Sequence, residues 1–230
     1  GVKLHDGLMV ESVLIPTESR TTACVSSQVG CSLNCEFCAT AKLKRMRNLE
    51  VAEIVDQVAL IDKQSKLYFD RPLSNIVFMG MGEPMMNYKN VVDAIKKITE
   101  EDGLGMSPRR ITVSTSGIPK MIKMLADENL KVKLALSLHS AIEHKRNEIM
   151  PFSIKFPLTE IMEAMQYWYN KTDNRITFEY CVWKGINDGD EDIKALIKYC
   201  RQVPCKVNLI QYNPIGEGKF DHRSIEAEER

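Results

Sequence analysis

The amino-acid sequence predicts an α/β protein built as an open or partial barrel of six strand–helix units. Short β-type runs alternate with helical patterns along most of the 230 residues. Repeated strand–helix–strand order requires right-handed crossovers, which give a parallel sheet with helices outside it. Polar or glycine-containing turns follow several of the runs, and in such sheets the reactive groups gather at the carboxyl ends of the strands.

The predicted elements follow from hydrophobic periodicity. Val51, Ile54 and Val58 fall on one helical face, as do Leu158 and Ile161 with the apolar residues that continue their pattern. Further helices are predicted near 88–99, 118–129 and 191–201. The six predicted strands are 23–26, 75–80, 111–114, 132–138, 176–182 and 206–211.

The first sixteen residues alternate short apolar stretches around an Asp-Gly pair, Asp6-Gly7, which is typical of a β-hairpin turn. We therefore expect residues 1–16 to form an N-terminal β-hairpin extension. Residues 17–230 are expected to form a single core domain.

Composition and charge exclude several classes of protein. Lys plus Arg and Asp plus Glu both number 31, so no global charge favours a polyanion, and any RNA contact must come from a local patch such as the four cations within 42–47. No apolar run is long enough to span a bilayer, and residues 1–15 lack a signal-peptide layout. We therefore expect a cytoplasmic protein with no membrane partner, whose seven cysteines are ligands, catalysts or core residues rather than disulfides.

Three of these cysteines, Cys31, Cys35 and Cys38, lie within eight residues with the spacing Cx3Cx2C. Thiolates on so short a loop can hold an iron–sulfur cluster, and with no fourth cysteine nearby one iron stays open to a substrate. A structural zinc site is the first alternative, but zinc favours paired Cx2C or Cx2H units with four ligands. Three unconnected buried thiols are the second, and this spacing makes chance burial improbable.

The cysteine spacing, with Phe37 just before the last cysteine, resembles the signature of the radical S-adenosylmethionine (SAM) superfamily. The match is closer still to the adenine-C2 RNA methyltransferases, and it extends over nearly all 230 residues. The motifs that carry it are CVSSQVGC (24–31), FMGMGEPMMN (78–87), ITVSTSG (111–117), LSLH (136–139), EY (179–180) with IND (186–188), and NLIQYNP (208–214).

This resemblance implies a radical SAM partial barrel with two cofactors, a [4Fe–4S] cluster on the three cysteines and SAM. The positions that match the family's SAM-binding residues are Gly82, Glu83, Ser114, Ser137, Leu138, His139 and Asn213. Single-residue explanations stay open: a plain turn at the glycines, a helix cap at Ser114, a buried histidine at His139 and a turn at Asn213.

For catalysis, the resemblance implies methylation of an adenine in 23S rRNA, and in many members tRNA, through a methylated cysteine. Glu11 matches the proton acceptor, and Cys24 matches the cysteine that resolves the protein–RNA adduct as a disulfide. From the residues alone, Glu11 is a carboxylate in a hairpin and Cys24 is a thiol in an apolar strand. The family's methyl-carrying cysteine and its N-terminal helical domain lie outside these 230 residues, so we expect a core fragment.

The implied partners are RNA and a reducing electron donor such as flavodoxin or ferredoxin, and a monomer is expected. The sister activity at adenine C8 shares the cluster, the SAM site and the cysteine pair, so it stays open. A radical SAM enzyme acting on a peptide or small molecule is less consistent with so long a match. A non-enzymatic iron–sulfur electron carrier would leave Glu83 and Ser114 unexplained.

Overall fold

The computed structural model describes residues 1–210 together with Tyr212, Ile215 and Phe220. Contacts divide the chain into two compact units. The first unit contains Gly1–Ser32, Leu43–Ser114 and Leu130–Lys133, and the second contains Leu33–Lys42, Thr115–Asn129 and the residues from Leu134 onward.

The order of helices and strands is that of an alternating α/β chain. The helices are α1 (Val51–Phe69), α2 (Tyr88–Thr99), α3 (Pro119–Asp127), α4 (Glu143–Ile149), α5 (Leu158–Thr172) and α6 (Asp190–Cys200). The strands are β1 (Val2–Lys3), β2 (Met9–Val10), β3 (Val13–Pro16), β4 (Thr21–Cys24), β5 (Gln28–Val29), β6 (Arg47–Asn48), β7 (Asn75–Phe78), β8 (Ile111–Thr115), β9 (Lys133–Ser137), β10 (Ile176–Cys181) and β11 (Cys205–Ile210). Within the described residues, no helix combines the length and the apolar character needed to cross a membrane.

In the first unit, β4, β7 and β8 run parallel, and β3 pairs antiparallel with β4. The α1 face predicted from the sequence is buried, with Ile54 and Val58 fully enclosed. At the start of α1, the Glu50 backbone N–H donates to the Glu53 carboxylate, which satisfies one of the unpaired donors of the first turn. The carboxyl ends of β4 and β7 therefore lie side by side over a fixed helix.

In the second unit, β9, β10 and β11 are parallel, and α3 packs on α5. All six residues of β10 are buried. Such a strand is covered on both faces, which is the environment expected for parallel strands between crossover helices.

All six predicted strands and all five predicted helices are present. The strand predicted at 75–80 ends at Phe78, because the Gly80 N–H donates to the Val25 carbonyl oxygen at 3.0 Å instead of continuing a ladder. At the N-terminus, β1 pairs with β2 around Asp6-Gly7, whereas Val13–Pro16, predicted to belong to the hairpin, joins the sheet beside β4. The sequence did not reveal α4, because only Arg146 and Ile149 of its seven residues are buried.

Candidate active site

The glycine-containing turn after β7 is bound to the segment after β4, within the first unit. The Ser27 and Gln28 N–H groups both donate to the Met81 carbonyl oxygen, at 2.9 and 3.1 Å. The Ser26 hydroxyl accepts from the Met81 N–H at 2.8 Å and donates to the Glu11 carbonyl oxygen at 2.6 Å. One buried hydroxyl thereby fixes both the turn and the backbone of the predicted proton acceptor.

Both glycines of the turn are required by close packing. A Cβ on Gly80 would lie 2.8 Å from the Val25 carbonyl oxygen. Gly82 has φ +96°, and a Cβ there would lie 2.5 Å from the Gln28 Cβ. Side chains rarely adopt that backbone conformation. The turn does more than connect β7 to the next helix, because its backbone packs directly against the segment after β4 and leaves no space for side chains at these two positions.

Glu83 is buried directly after this turn, with 3% of its surface exposed. Its N–H donates to the Gln28 side-chain oxygen at 3.0 Å, and its Oε1 accepts from the Met85 N–H at 3.1 Å. The carboxylate caps the short 3-10 helix Pro84–Asn87. These bonds fix the position of the Glu83 carboxyl group at the carboxyl end of β7.

The two predicted catalytic residues, Glu11 and Cys24, belong to neighbouring strand segments of the first unit. Glu11 precedes β3 and its side chain is exposed. Cys24 ends β4, pairs in register with Val13 and is half-buried. Burial raises the pKa of the Cys24 thiol, against a smaller opposing effect of its hydrogen bond with the Met79 backbone. At neutral pH Cys24 is therefore a thiol, and acting as a nucleophile requires a base or a good leaving group.

The predicted cluster cysteines lie on a loop whose residues divide between the units. Cys31 follows β5 and Gly30 in the first unit, and a Cβ on Gly30 would lie 2.4 Å from the Lys44 carbonyl oxygen. Cys35 and Cys38 belong to the second unit, where the Cys38 N–H donates to the Cys35 carbonyl oxygen at 3.1 Å. All seven cysteines of the chain lie in the described part, and none is in a disulfide.

Three thiols on one loop are the chemical donor set that an iron–sulfur cluster requires. Among the described residues, no three His, Cys, Asp or Glu side chains are gathered closely enough for one metal ion. A zinc site holds each sulfur about 2.3 Å from a single metal, whereas each thiolate of a cluster binds its own iron, so cluster thiols stand further apart. The three thiols are outside disulfides, as cluster ligands must be.

In the second unit, the loop packs against an aromatic wall. The Phe37 ring lies 4.7 Å from the His139 ring and 5.2 Å from the Trp183 ring, measured between centroids. Cys35 packs on the same apolar cluster, which includes Trp183 and Ile149. The Phe37 position of the sequence signature thus serves as the hydrophobic anchor of the loop.

His139 is fixed by hydrogen bonds on its ring and its backbone. The Cys181 N–H donates to Nδ1 at 3.1 Å, and the Asn187 side chain donates to the His139 carbonyl oxygen at 2.6 Å. Its φ is +54° and its side chain is buried. Burial, helped by the nearby positive charge of Arg146, lowers the pKa of His139 to about 3. The imidazole is therefore neutral and carries its proton on Nε2.

The remaining predicted SAM-binding residues lie at strand ends, with one exception. Ser114 is buried near the end of β8 in the first unit. In the second unit, Ser137 ends β9 and the Leu138 N–H donates to the Glu179 carbonyl oxygen at 3.0 Å. Asn213 falls outside the described residues.

The sequence interpretation missed three polar residues that hold these turns in place. Gln57 of α1 accepts from the Ser26 N–H at 2.9 Å, and Gln28 links Glu83 to Asn48. Asn187 bridges His139 and Cys181. Gln28 and Asn187 stand inside the quoted motifs, so their positions were visible, but their partners depend on tertiary contacts.

Arg47, one of the cations predicted to contact RNA, is already paired with carboxylates of this chain. Arg47 donates to both Glu53 carboxylate oxygens, at 2.7 and 2.8 Å, and to Asp6 at 2.7 Å. These carboxylates raise the pKa of Arg47, and the ion pairs satisfy its charge inside the first unit. Arg47 is therefore unsuited to phosphate binding, and the patch expected within 42–47 depends on its other members.

Parallel strands with helical crossovers, a glycine turn backed by a buried carboxylate, and a Cx3Cx2C loop define an α/β protein that binds a cluster and a small cosubstrate. The sequence profile of the Radical SAM superfamily matches residues 25–200. A protein from Flavobacterium psychrophilum, named "Probable dual-specificity RNA methyltransferase RlmN", is 70% identical over 98% of this chain and 65% of its own length. A protein of the same name from Cytophaga hutchinsonii is 50% identical over 100% of this chain and 63% of its own length.

Among solved structures, a radical SAM methyltransferase from Sphaerobacter thermophilus matches with a TM-score of 0.95 and 40% identity, over 98% of this chain and 66% of that one. The chain therefore belongs to the radical SAM superfamily. The predicted fold class is confirmed, and so are the cofactors of this superfamily, a [4Fe–4S] cluster and SAM. The predicted resemblance is confirmed, since these relatives are named as RNA methyltransferases, and this chain spans less than two thirds of the length of either one.

Proposed function

We propose that this chain is the core of a radical SAM RNA methyltransferase that methylates C2 of an adenine in 23S rRNA and in tRNA. The observation that carries the proposal is the 70% identity, over 98% of the chain, with a relative named as a dual-specificity RNA methyltransferase. The TM-score of 0.95 to a radical SAM methyltransferase supports the same reaction class.

On this proposal, Cys31, Cys35 and Cys38 hold the cluster. Gly82, Glu83, Ser114, Ser137, Leu138, His139 and Asn213 bind SAM. When bound, the cluster and SAM supply the radical chemistry needed at a ring carbon that has no lone pair. The chain's own contribution is placement: the bare turn at Gly82 and the fixed Glu83 carboxylate suit the ammonium group of an amino acid.

His139 contributes as a neutral donor in this proposal. Because its Nδ1 accepts from the Cys181 N–H, its remaining polar atom is a protonated Nε2. A neutral imidazole can donate a hydrogen bond without repelling the sulfonium charge of SAM. The low pKa of His139 keeps it in this form at any physiological pH.

Glu11 and Cys24 take the later roles of proton acceptor and adduct-resolving thiol. Two observations support their pairing: Cys24 lies opposite Val13, two residues from Glu11, and the Glu11 backbone is tied to the turn at Met81 through Ser26. An exposed carboxylate can reach a bound base and accept a proton from it.

We further propose a monomeric, cytoplasmic enzyme in which residues 17–230 form the core domain and residues 1–16 its N-terminal extension, whose last strand, Val13–Pro16, pairs with β4. The seven cysteines outside disulfides suit a reducing compartment. RNA is the substrate, the electron donor is a low-potential protein of the flavodoxin or ferredoxin class, and no membrane is involved.

The test uses the protein extended to the length of its relatives, with the cluster assembled anaerobically. Supplied with SAM, a reductant and an RNA containing the peptidyl-transferase hairpin, it should yield 2-methyladenosine, identified in the digested RNA by liquid chromatography and mass spectrometry against 2-methyladenosine and 8-methyladenosine standards. A methyl group on C8 would reject the C2 assignment, and an unmodified RNA would reject the substrate. Glu11→Gln should slow product release while leaving SAM cleavage intact, which separates the base from the cosubstrate site.

A further inference from the structure

A fully buried arginine, Arg146 on α4, is bonded to the strand ends of the second unit. Its Nε donates to the Leu138 carbonyl oxygen at 3.2 Å, and its Nη2 donates to the carbonyl oxygens of Ser116 and Ser137. None of its surface is exposed. These neutral carbonyls bind the guanidinium but leave its positive charge unbalanced.

Arg146 has bonding capacity that the described residues do not use. Its Nη1 is buried and finds no hydrogen-bond partner there, and no ion pair in the described part of the chain includes it. Three ionisable side chains lie near enough to raise the pKa of Arg146. Tyr199 is neutral because burial raises its own pKa, and Glu143 is exposed and bonded to the Leu158 N–H. A buried cation without a counter-ion destabilises the fold, so an anion nearby would stabilise it.

The third side chain near enough to raise the pKa of Arg146 is Cys35, one of the proposed cluster ligands. The loop and α4 are also joined directly, because the Glu36 N–H donates to the Ile149 carbonyl oxygen at 3.1 Å. Ile149 lies in the apolar cluster on which Cys35 and Phe37 pack. The helix that carries the unbalanced cation is therefore the one that holds the cysteine loop.

We propose that Arg146 is a positioning residue that holds a positive charge beside Cys35 and raises the reduction potential of the cluster. The inference rests on the proposed function only in taking Cys35 as a ligand. One-electron reduction makes a thiolate-bound cluster more negative, so a fixed cation stabilises the reduced form more than the oxidised form. Cluster binding also removes the cost of burying the guanidinium without an anion.

The experiment compares the parent chain with Arg146→Met and Arg146→Lys, each reconstituted anaerobically with iron and sulfide. Methionine keeps much of the side-chain volume without the charge, whereas lysine keeps the charge without the planar fork. Iron per chain, circular dichroism and the cluster midpoint potential are measured, the last by dithionite titration followed by electron paramagnetic resonance. None of these readouts requires methyl transfer.

The midpoint potential of Arg146→Met should shift to a more negative value, and that of Arg146→Lys should stay closer to the parent. If Arg146→Met folds but loses its iron while Arg146→Lys keeps it, the charge requirement is equally supported. Equal midpoint potentials in all three proteins would overturn the proposal. So would an equal loss of fold or iron, or an equal shift of the midpoint potential, in both variants, because both lack the planar guanidinium and only Arg146→Lys keeps the charge. A parent that assembles no cluster would instead contradict the proposed function, and this inference with it.

Discussion

His139 gives the chain a pH-dependent stability that can be worked out from its burial. Its folded-state pKa of about 3 lies below the ordinary histidine value of about 6.5. Below about pH 6.5 the unfolded chain binds a proton at His139 that the folded chain does not bind. The stability that neutral His139 contributes is therefore fully present above about pH 6.5 and is lost as pH falls toward 3. At about 1.4 kcal/mol per pH unit, the loss is about 2 kcal/mol at pH 5 and at most about 5 kcal/mol at pH 3.

The matched variant is His139→Asn. Asparagine tolerates the φ of +54°, and its side-chain oxygen can replace Nδ1 as the acceptor for the Cys181 N–H, but it does not titrate. Urea unfolding of the cluster-free chain is measured at pH 8 and pH 5 under reducing conditions. The parent should lose about 2 kcal/mol more than the variant over this interval. Equal losses in the two proteins would show that His139 is not held neutral by the fold.

The remaining predictions concern the turn at Gly82, the hydrogen bonds of the Asn187 side chain and the Cys24 thiol. Gly82→Ala should lower the free energy of unfolding by about 1–3 kcal/mol and weaken SAM binding. The control Gly7→Ala has a similar φ of +84° but open space around the new Cβ, so it should lose less stability and bind SAM normally. Equal stability losses in the two variants would show that the close approach of Gly82 to Gln28 is not the cause. Asn187→Ala should cost on the order of 3 kcal/mol by chemical denaturation, since its amide serves the backbone of His139, Cys181 and Trp183; a loss under about 1 kcal/mol would contradict that bridge. Alkylation of Cys24, followed by peptide mass spectrometry, should reach half its maximal rate above the ordinary thiol pKa of about 8.5; fast alkylation at pH 7 would contradict burial of the thiol.

The regular elements were predictable because their apolar residues carry the period of each structure. Ile54 and Val58 of α1 are spaced as a helix requires, and both are buried. Helix α4 has no such signal, since its sequence is Glu-His-Lys-Arg-Asn-Glu-Ile. Its buried arginine is stabilised by carbonyl oxygens from Ser116 and Ser137, which only the folded chain brings near.

The candidate site was predictable where neighbouring residues in the sequence set the backbone conformation. It was unpredictable where a contact with a residue far away in the sequence sets the state of a side chain. Gly82 and Glu83 belong to one turn, so their geometry follows from neighbouring residues. Arg47 was grouped with RNA-binding cations, yet Asp6, 41 residues away, and Glu53 take up its charge. Likewise, the neutral state of His139 depends on burial by Phe37 and Trp183, which no local pattern contains.

The central claim is that three cysteines on one loop hold a cluster that acts with SAM. Its most direct test is anaerobic reconstitution of the chain followed by addition of SAM and dithionite, with 5′-deoxyadenosine measured by chromatography. The parent should bind about four irons and form 5′-deoxyadenosine, the Cys35→Ala variant should lose both properties, and the Cys200→Ala control should keep both. A four-iron cluster that persists in Cys35→Ala, or a loaded parent that leaves SAM intact, would contradict the account.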